Sequence, residues 1–204
     1  MHWEASLGAA EIGWFLLIAA AVNGLIALSN LTRRQPVIAA HFSPKGGCMA
    51  AIVAELGMAR SEILVQAYSF SCPDIARALI AAAGRRVRVV VLLDRSNEVE
   101  TYSELGDLEK HGLEVWIDAV HAIAHNKVMV IDGKTVLTGS FNFTRQAELE
   151  NAENLLILKH HNELAARYRT NLLAHRGHCH RPGTGKPVRL HSRGAEPKHA
   201  AATA

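Results

Sequence analysis

Cysteine is scarce in this chain of 204 residues, which contains only Cys48, Cys72 and Cys179. No two of them form a C-x-x-C pair, so the common zinc-ribbon and thioredoxin-type patterns are excluded. Cys48 opens a predicted helix and Cys72 follows a predicted strand, and whether the two pair as a disulfide stays open. The third cysteine lies in a histidine-rich group whose spacing fits no common structural zinc site. That group comprises His175, His178, Cys179 and His180.

Aromatic residues are also few, at 5% of the chain, and they do not alternate with basic residues. This argues against a dedicated single-stranded nucleic-acid platform, which stacks bases on aromatic side chains. Clustered carboxylates with the spacing of a two-metal catalytic centre are missing as well. The sequence therefore predicts catalytic chemistry that needs neither a metal nor another cofactor.

Charge is distributed unevenly, although the net charge is only +3. Positions 176–204 contain six Lys or Arg residues and one Glu, so this stretch carries +5 and the remainder of the chain carries −2. Its Pro, Gly, His and Arg content predicts a basic, disordered tail over residues 176–204. A non-specific electrostatic arm for nucleic acid or anionic lipid is the alternative interpretation.

One long apolar run is present, and it lies near the N-terminus. No charged residue occurs from Ile12 to Thr32, and Ile12 to Leu28 is strongly apolar, a length near the lower limit for a bilayer span. The run also fits the hydrophobic region of a secretory signal peptide. Arg33 and Arg34 follow it and would hold an uncleaved protein on the cytoplasmic side. Residues 1–34 are interpreted as a signal peptide or a membrane anchor, with a buried core helix as the third alternative.

The most informative pattern is His125, Lys127 and Asp132, an H-x-K-x-x-x-x-D constellation around the apolar run from Val128 to Ile131. The run predicts a buried strand. Residues two apart on a strand point to the same face, so His125 and Lys127 share a side. The turn residues that follow the run predict an antiparallel hairpin with the next strand.

The second strand of that hairpin ends in Gly139-Ser140-Phe141-Asn142. Ser140 and Asn142 share a side for the same reason. The hairpin would place an imidazole, an ammonium, a hydroxyl and an amide around one small anion. Gly139 has no Cβ, so it would let that anion approach the backbone.

Together these residues resemble the signature of the phospholipase D superfamily, H-x-K-x-x-x-x-D followed by G-S/G-x-N. The resemblance extends over residues 41–173, in particular to short bacterial phosphodiesterase nucleases that carry one copy of the motif. It implies a homodimer with the active site at the interface, and a protein that is exported (periplasmic or secreted) or anchored in the bacterial cell envelope. It also implies that Glu153 holds the catalytic imidazole.

Predicted strands alternate with predicted helices over residues 35–175, which is typical of an α/β domain with helices on both faces of a sheet. We therefore expect an α/β/α sandwich with a mixed, largely parallel central sheet. The hairpin after His125 is what makes the sheet mixed. The phospholipase D resemblance implies the same fold, with residues 35–175 as the catalytic domain.

Phosphodiester cleavage by this constellation requires two histidines, because one attacks phosphorus to form a phosphohistidine while the other protonates the departing alkoxide. The motif occurs once, so the second histidine is predicted to be His125 of another copy in a two-fold dimer. Lys127 and Asn142 are predicted to bind the non-bridging oxygens and stabilise the transition state. Ser140 is predicted to be a further phosphate ligand.

Several other residues receive weaker predictions. Gly139 and Arg95 are candidate substrate-binding residues, the latter because it follows a predicted parallel strand. Asp132 lies at the far end of its strand from His125 and is interpreted as a structural turn residue. Two alternatives stay open for Tyr68, which either lines the cleft or packs in the core, and His121 is interpreted mainly as a loop residue.

Three functions are compatible with the sequence. The leading hypothesis is a metal-independent endonuclease that cleaves DNA or RNA without sequence preference. The alternative is a phospholipase D that cleaves phosphatidylcholine to phosphatidate, with the apolar segment keeping it at the membrane. The third is a membrane-tethered nucleic-acid-binding protein without catalysis. The motif does not separate the first two, because both reactions use the same phosphate chemistry.

Overall fold

The computed structural model describes residues 8–32 and 35–184. The chain divides into two compact units, Met1–Gln35 and Pro36–Ala204. This division lies beside the predicted end of the apolar segment at residue 34. Expectations for Arg33 and Arg34, and for the tail beyond Thr184, fall outside the described residues.

The first unit contains the helix α1 (Ala9–Thr32). Large apolar side chains on it are exposed, among them Trp14 at 68% and Leu25 at 67%. Within the described ranges, no helix combines the length and the apolar content needed to cross a bilayer. A signal peptide or an anchor at residues 1–34 therefore remains a prediction.

The second unit is built on one seven-stranded sheet. Its strands are β1 (Val37–Ser43), β2 (Glu62–Ala67), β3 (Arg88–Asp94), β4 (Glu114–Asp118), β5 (Lys127–Ile131), β6 (Thr135–Gly139) and β7 (Glu153–Lys159). Its α-helices are α2 (Cys48–Met58), α3 (Pro73–Gly84), α4 (Leu105–Lys110), α5 (Arg145–Leu149) and α6 (Asn162–Arg176). A short 3-10 helix, Arg95–Glu98, follows β3.

The strand order is β1-β7-β6-β5-β2-β3-β4. The prediction of a mixed sheet is confirmed, but the expectation that it is largely parallel is wrong. Only the β2–β3 and β3–β4 pairs are parallel, whereas β1–β7, β7–β6, β6–β5 and β5–β2 are antiparallel. Only the parallel pairs follow connections that contain α3 or α4, and a parallel pair needs such a crossover. The turn at Asp132–Lys134 instead reverses the chain into β6.

Helices cover both faces of the sheet, as predicted for an α/β/α sandwich. The face that includes Ile63, Val65 and Met129 packs against α2, α3 and α4 in the larger hydrophobic core. On the opposite face, α6 packs through Ala165 and Leu172. Strands β2 and β3 are buried on both faces, which explains their nearly continuous apolar sequences.

The chain remains ordered beyond the predicted start of the tail at residue 176. His180 forms an antiparallel bridge with Ile117, through hydrogen bonds of 2.8 and 3.1 Å. The Arg181 guanidinium donates to the carbonyl oxygen of Val115 at 2.9 Å and stacks on Trp116, with 4.2 Å from Cζ to the ring centroid. These contacts cover the outer edge of β4, which would otherwise present unpaired backbone groups.

The three cysteines all lie in the described part of the chain, and all are free. Cys48 and Cys72 are both buried in the larger core, but they are not paired with each other. The Sγ atom of Cys72 lies 3.3 Å from Sδ of Met49. Both thiols therefore serve as small apolar core groups.

Candidate active site

The predicted site residues lie at one end of the central strands of the sheet. Because β5 runs antiparallel to β2, Lys127 at its start pairs with Ala67 at the end of β2. Gly139 at the end of β6 pairs with Leu155 near the start of β7. At this side of the sheet, strands β1, β2, β3, β4 and β6 therefore end, and strands β5 and β7 begin. Ligands of such sheets bind beyond these strand ends.

His125 and Lys127 pack around Tyr68. His125 lies two residues before the start of β5 and is exposed, with its ring centroid 4.7 Å from that of Tyr68. Lys127 is only 7% exposed, and its Nζ lies 5.0 Å from the same tyrosine ring. The Nζ atom also donates to the carbonyl oxygen of His125 at 2.9 Å. Tyr68 therefore lies next to both motif residues.

The surroundings favour a neutral imidazole at His125. Burial lowers the pKa of His125, the positive charge of Lys127 lowers it further, and the carboxylate of Asp94 opposes both. Burial also lowers the pKa of Lys127, while Glu153 acts in the opposite direction. A neutral imidazole beside an ammonium group can attack an electron-poor centre such as phosphorus.

Gly139 lies against the backbone of β7. A Cβ at this position, where φ is 156°, would come within 2.2 Å of the carbonyl oxygen of Asn154. That oxygen accepts hydrogen bonds from the backbone N–H of Ser140 and Phe141, at 3.1 and 3.2 Å. The glycine therefore permits the close approach that fixes the turn after β6.

Ser140 and Asn142 follow that turn. The hydroxyl of Ser140 accepts from the backbone N–H and the side-chain amide of Asn154, at 3.0 and 3.2 Å, so its own proton is free to point elsewhere. The Oδ1 atom of Asn142 is buried and has no hydrogen-bond partner among the described residues. A buried polar atom without a partner is rare in folded proteins. This oxygen is an acceptor, so it can receive a hydrogen bond from a donor group of a ligand.

Glu153 begins β7 beside this turn. Its Oε1 accepts from the side-chain amide of Asn151 at 3.1 Å, and its backbone N–H donates to the hydroxyl of Ser43 at 3.2 Å. In the described part of the chain no hydrogen bond joins Glu153 to the His125 ring. Its charge acts on Lys127 instead.

Asp132 and Arg95 each make hydrogen bonds to backbone groups. Asp132 is at the opposite end of β5, where its carboxylate accepts hydrogen bonds from the backbone N–H groups of Arg60, Ser61 and Glu62 at 2.8–3.2 Å. Arg95 donates to the carbonyl oxygen of Ala122 at 3.1 Å. The structure therefore uses Asp132 to join the start of β2 to the end of β5.

Similarity to known proteins identifies the family to which this chain belongs. The family model described as "Cardiolipin synthase, PLD-like domain" matches residues 52–175. The chain belongs to the phospholipase D superfamily. This chain is a phospholipase D-type phosphodiesterase. Its motif residues His125, Lys127, Ser140 and Asn142 lie at the strand ends described above.

Individual relatives support this assignment. A protein named "Phospholipase D" from Rickettsia bellii is 44% identical over 147 residues, which are 72% of this chain and 72% of the relative. The phospholipase D family member Nuc from Salmonella typhimurium is 30% identical with a TM-score of 0.70, over 72% of this chain and 97% of that one. NucT from Helicobacter pylori is 25% identical with a TM-score of 0.66, over 71% of this chain and 98% of that one.

Asp94 has a structural role that the sequence did not indicate. It is 4% exposed at the end of β3, and its two carboxylate oxygens accept from the backbone N–H of Ser96 at 2.9 Å and of Ala124 at 2.7 Å. The second bond holds the chain just before His125. Its position at the end of a buried parallel strand was the available signal.

Proposed function

We propose that this phosphodiesterase is a metal-independent endonuclease with little sequence preference that acts through a phosphohistidine on His125. The observation that carries the proposal is the exposed imidazole of His125 and the buried ammonium of Lys127, which lie next to the same Tyr68 ring. Resemblance to the small single-motif nucleases supports nucleic acid as the substrate. The short connections between the elements of residues 36–184, which leave no large lipid-binding insertion in that range, also support it.

In the first step, the neutral imidazole of His125 attacks phosphorus. An N–P bond forms while the bond from phosphorus to the leaving oxygen breaks, and a second histidine gives its proton to that oxygen. Lys127 neutralises the non-bridging oxygens, and the amide of Asn142 and the hydroxyl of Ser140 donate to them as charge builds up.

In the second step, water attacks the phosphohistidine. The second histidine, now neutral, takes a proton from the water as the new P–O bond forms. The N–P bond then breaks and returns the electron pair to His125. The products are a phosphomonoester and an alcohol, and both histidines regain their starting protonation states.

The second histidine is proposed to be the partner subunit's His125 in a two-fold homodimer. An exposed apolar patch on one face of the β1–β7 pair supports association on this side of the sheet. The patch comprises Ile38 at 62%, Phe42 at 64% and Leu156 at 36% exposure. Glu153 begins the same strand as Leu156 but alternates to the other face of the pair, and its carboxylate makes no hydrogen bond to its own His125 in the described residues. We propose that Glu153 orients the partner subunit's His125.

A phospholipase D activity that converts phosphatidylcholine to phosphatidate is the second candidate. The exposed apolar side chains of α1 favour it, because they suit contact with lipid. The name "Phospholipase D" of the Rickettsia bellii relative also favours it. Export or anchoring in the cell envelope through residues 1–34 is proposed together with either activity.

The deciding experiment gives one preparation two substrates, plasmid DNA and phosphatidylcholine vesicles, each with and without EDTA. We expect DNA cleavage that persists in EDTA and disappears in His125→Ala. Cleavage of the lipid alone would replace the nuclease proposal by the phospholipase one. Full activity of His125→Ala on both substrates would refute the assignment of the nucleophile.

A further inference from the structure

A second cluster of polar side chains lies at the end of β4. Asp118 ends that strand, and His121 lies on the loop that follows it. His175 and His178 come from the C-terminal end of α6 and the turn after it. The side chain of Asp118 is only 1% exposed, whereas those of His121, His175 and His178 are 43%, 18% and 35% exposed.

The ring nitrogens converge on one carboxylate. From Asp118, Oδ2 lies 2.9 Å from Nδ1 of His175, 3.2 Å from Nδ1 of His121 and 3.4 Å from Nε2 of His178. The rings also approach one another, with centroid separations of 4.8, 5.1 and 5.3 Å. One potential ligand atom from each of the four residues lies within 4.8 Å of the other three.

These separations suit a small cation. A tetrahedral Zn²⁺ ion with bonds of about 2.0–2.2 Å holds its ligand atoms roughly 3.3–3.6 Å apart. The three Asp118–histidine distances are already within about 0.4 Å of that range, and the remaining ligand-atom separations, at most 4.8 Å, need a contraction of up to about 1.2 Å. Imidazole nitrogen with a carboxylate oxygen is also a donor set that zinc accepts.

The carboxylate of Asp118 is almost fully buried, and ring nitrogens of three histidines surround it. Three imidazoles held this closely repel one another when protonated, whereas a cation between them would be bound by their neutral forms. A divalent ion would also be partly neutralised by the carboxylate.

We propose that Asp118, His121, His175 and His178 form a structural Zn²⁺ site. Four protein ligands complete a tetrahedral sphere and leave no open position for substrate, which distinguishes a structural zinc from a catalytic one. Strand β4 is three strands away from β5, roughly 14 Å at about 4.8 Å per strand, so the site is separate from Lys127. The ion would fasten α6 to the loop that leads from β4 into His125.

The test is zinc binding by the full chain. Protein stripped with a chelator is titrated with Zn²⁺ against a chromophoric zinc indicator, and its thermal midpoint is recorded with and without the ion. We expect one Zn²⁺ per chain and a higher midpoint when it is bound. Co²⁺ in its place should give the visible absorption of a four-coordinate site.

Two variants test whether zinc binding depends on this cluster or on other histidines. His178→Ala removes a half-exposed ligand, so folding should survive. The affinity for zinc should fall by at least about 100-fold, because losing a residue that only orients a metal ligand already lowers affinity by roughly 10- to 100-fold. His180→Ala is the matched control, because its Nδ1 contacts the carbonyl oxygen of Arg181 and its ring lies outside the cluster. Its affinity should equal that of the unaltered chain.

Two results would overturn the proposal. One is the absence of a stoichiometric zinc site in the unaltered chain, and the other is equal affinity in His178→Ala. Neither result bears on the phosphodiesterase chemistry, which is read from cleavage and from His125→Ala. An inactive protein that binds one zinc through His178 would contradict the proposed function and leave the zinc site standing.

Discussion

Asp132 belongs to the H-x-K-x-x-x-x-D signature, but in the structure its carboxylate stabilises the fold. It lies five residues beyond Lys127 on β5, about 17 Å along an extended strand. Its carboxylate accepts from three successive backbone N–H groups and from the hydroxyl of Ser61, the latter at 2.8 Å. Replacing Asp132 should therefore weaken folding and spare turnover in the molecules that remain folded.

The magnitude follows from the hydrogen bonds. Each one to a charged group contributes about 1.5–3 kcal/mol, and partial exposure places these at the lower end. Asp132→Ala also puts alanine at φ 52°, a conformation that costs roughly 1–2 kcal/mol. We expect a loss of about 3–5 kcal/mol in the free energy of unfolding for Asp132→Ala, less than the sum of these contributions, because water can replace the carboxylate at the exposed N–H groups. We expect about 1–2 kcal/mol for Asp132→Asn, which keeps one acceptor and tolerates this φ.

The same contacts predict a pH dependence. Burial alone would raise the pKa of Asp132, but hydrogen bonds from Ser61 and Glu62 bring it below its ordinary value. A depressed pKa stabilises the fold above the unfolded-state pKa of about 3.9, and the contribution is lost as the pH falls through the folded-state pKa. Stability should therefore decline below about pH 4 in the unaltered chain, and this part of the decline should be missing in Asp132→Asn.

The assay is denaturant unfolding at several pH values, combined with kcat measured on the folded fraction. A variant that keeps its full stability and loses kcat by about 100-fold, equivalent to ~2.7 kcal/mol of transition-state stabilisation, would refute the structural interpretation.

Four further predictions concern the active site and its assembly. Gly139→Ala should lower the free energy of unfolding in urea by about 2–4 kcal/mol, because its Cβ displaces the Asn154 carbonyl oxygen, which accepts two hydrogen bonds. The control is Gly106→Ala, where a Cβ meets nothing within 4 Å, and it should be neutral or slightly stabilising. NMR titration of His125 should give a midpoint below about 6.5, the ordinary value for histidine, and a midpoint above 7 would contradict the burial argument. Because one His125 must be neutral and the partner subunit's His125 must be protonated, kcat/KM should follow a bell-shaped pH profile. Lys127→Ala should abolish turnover without changing the oligomeric state measured by light scattering, and retained turnover would remove it from the phosphate site. Phe42→Asp should shift a dimer toward monomer and reduce activity in parallel, whereas an unchanged dimer would exclude the β1–β7 patch as its interface.

Local features of this fold could be predicted from the sequence, because they depend on neighbours along the chain. The apolar run from Val128 to Ile131 and the turn after it indicated the β5–β6 hairpin. The motif spacing also indicated that His125, Lys127, Ser140 and Asn142 form one group, and their roles stay predictions.

Long-range pairings could not be predicted in the same way. The alternation of strands and helices does not state that β1 pairs with β7 or that β5 runs antiparallel to β2, and this made the sheet look more parallel than it is. Asp118 and His175 are 57 residues apart in sequence and meet only when α6 packs on the sheet. The histidine group near Cys179 consequently gave no metal-site spacing.

The pairing of β1 with β7 has a consequence for synthesis of the protein. Val37 finds its partner Lys159 only after more than a hundred further residues have been made. At about 5–20 residues per second, the first strand waits roughly 6–25 s for its only neighbour in the sheet. During that interval it exposes Ile38 and Phe42 together with unpaired backbone groups, the combination that promotes aggregation. Cellular yield should therefore depend on chaperone supply and on translation speed between β1 and β7.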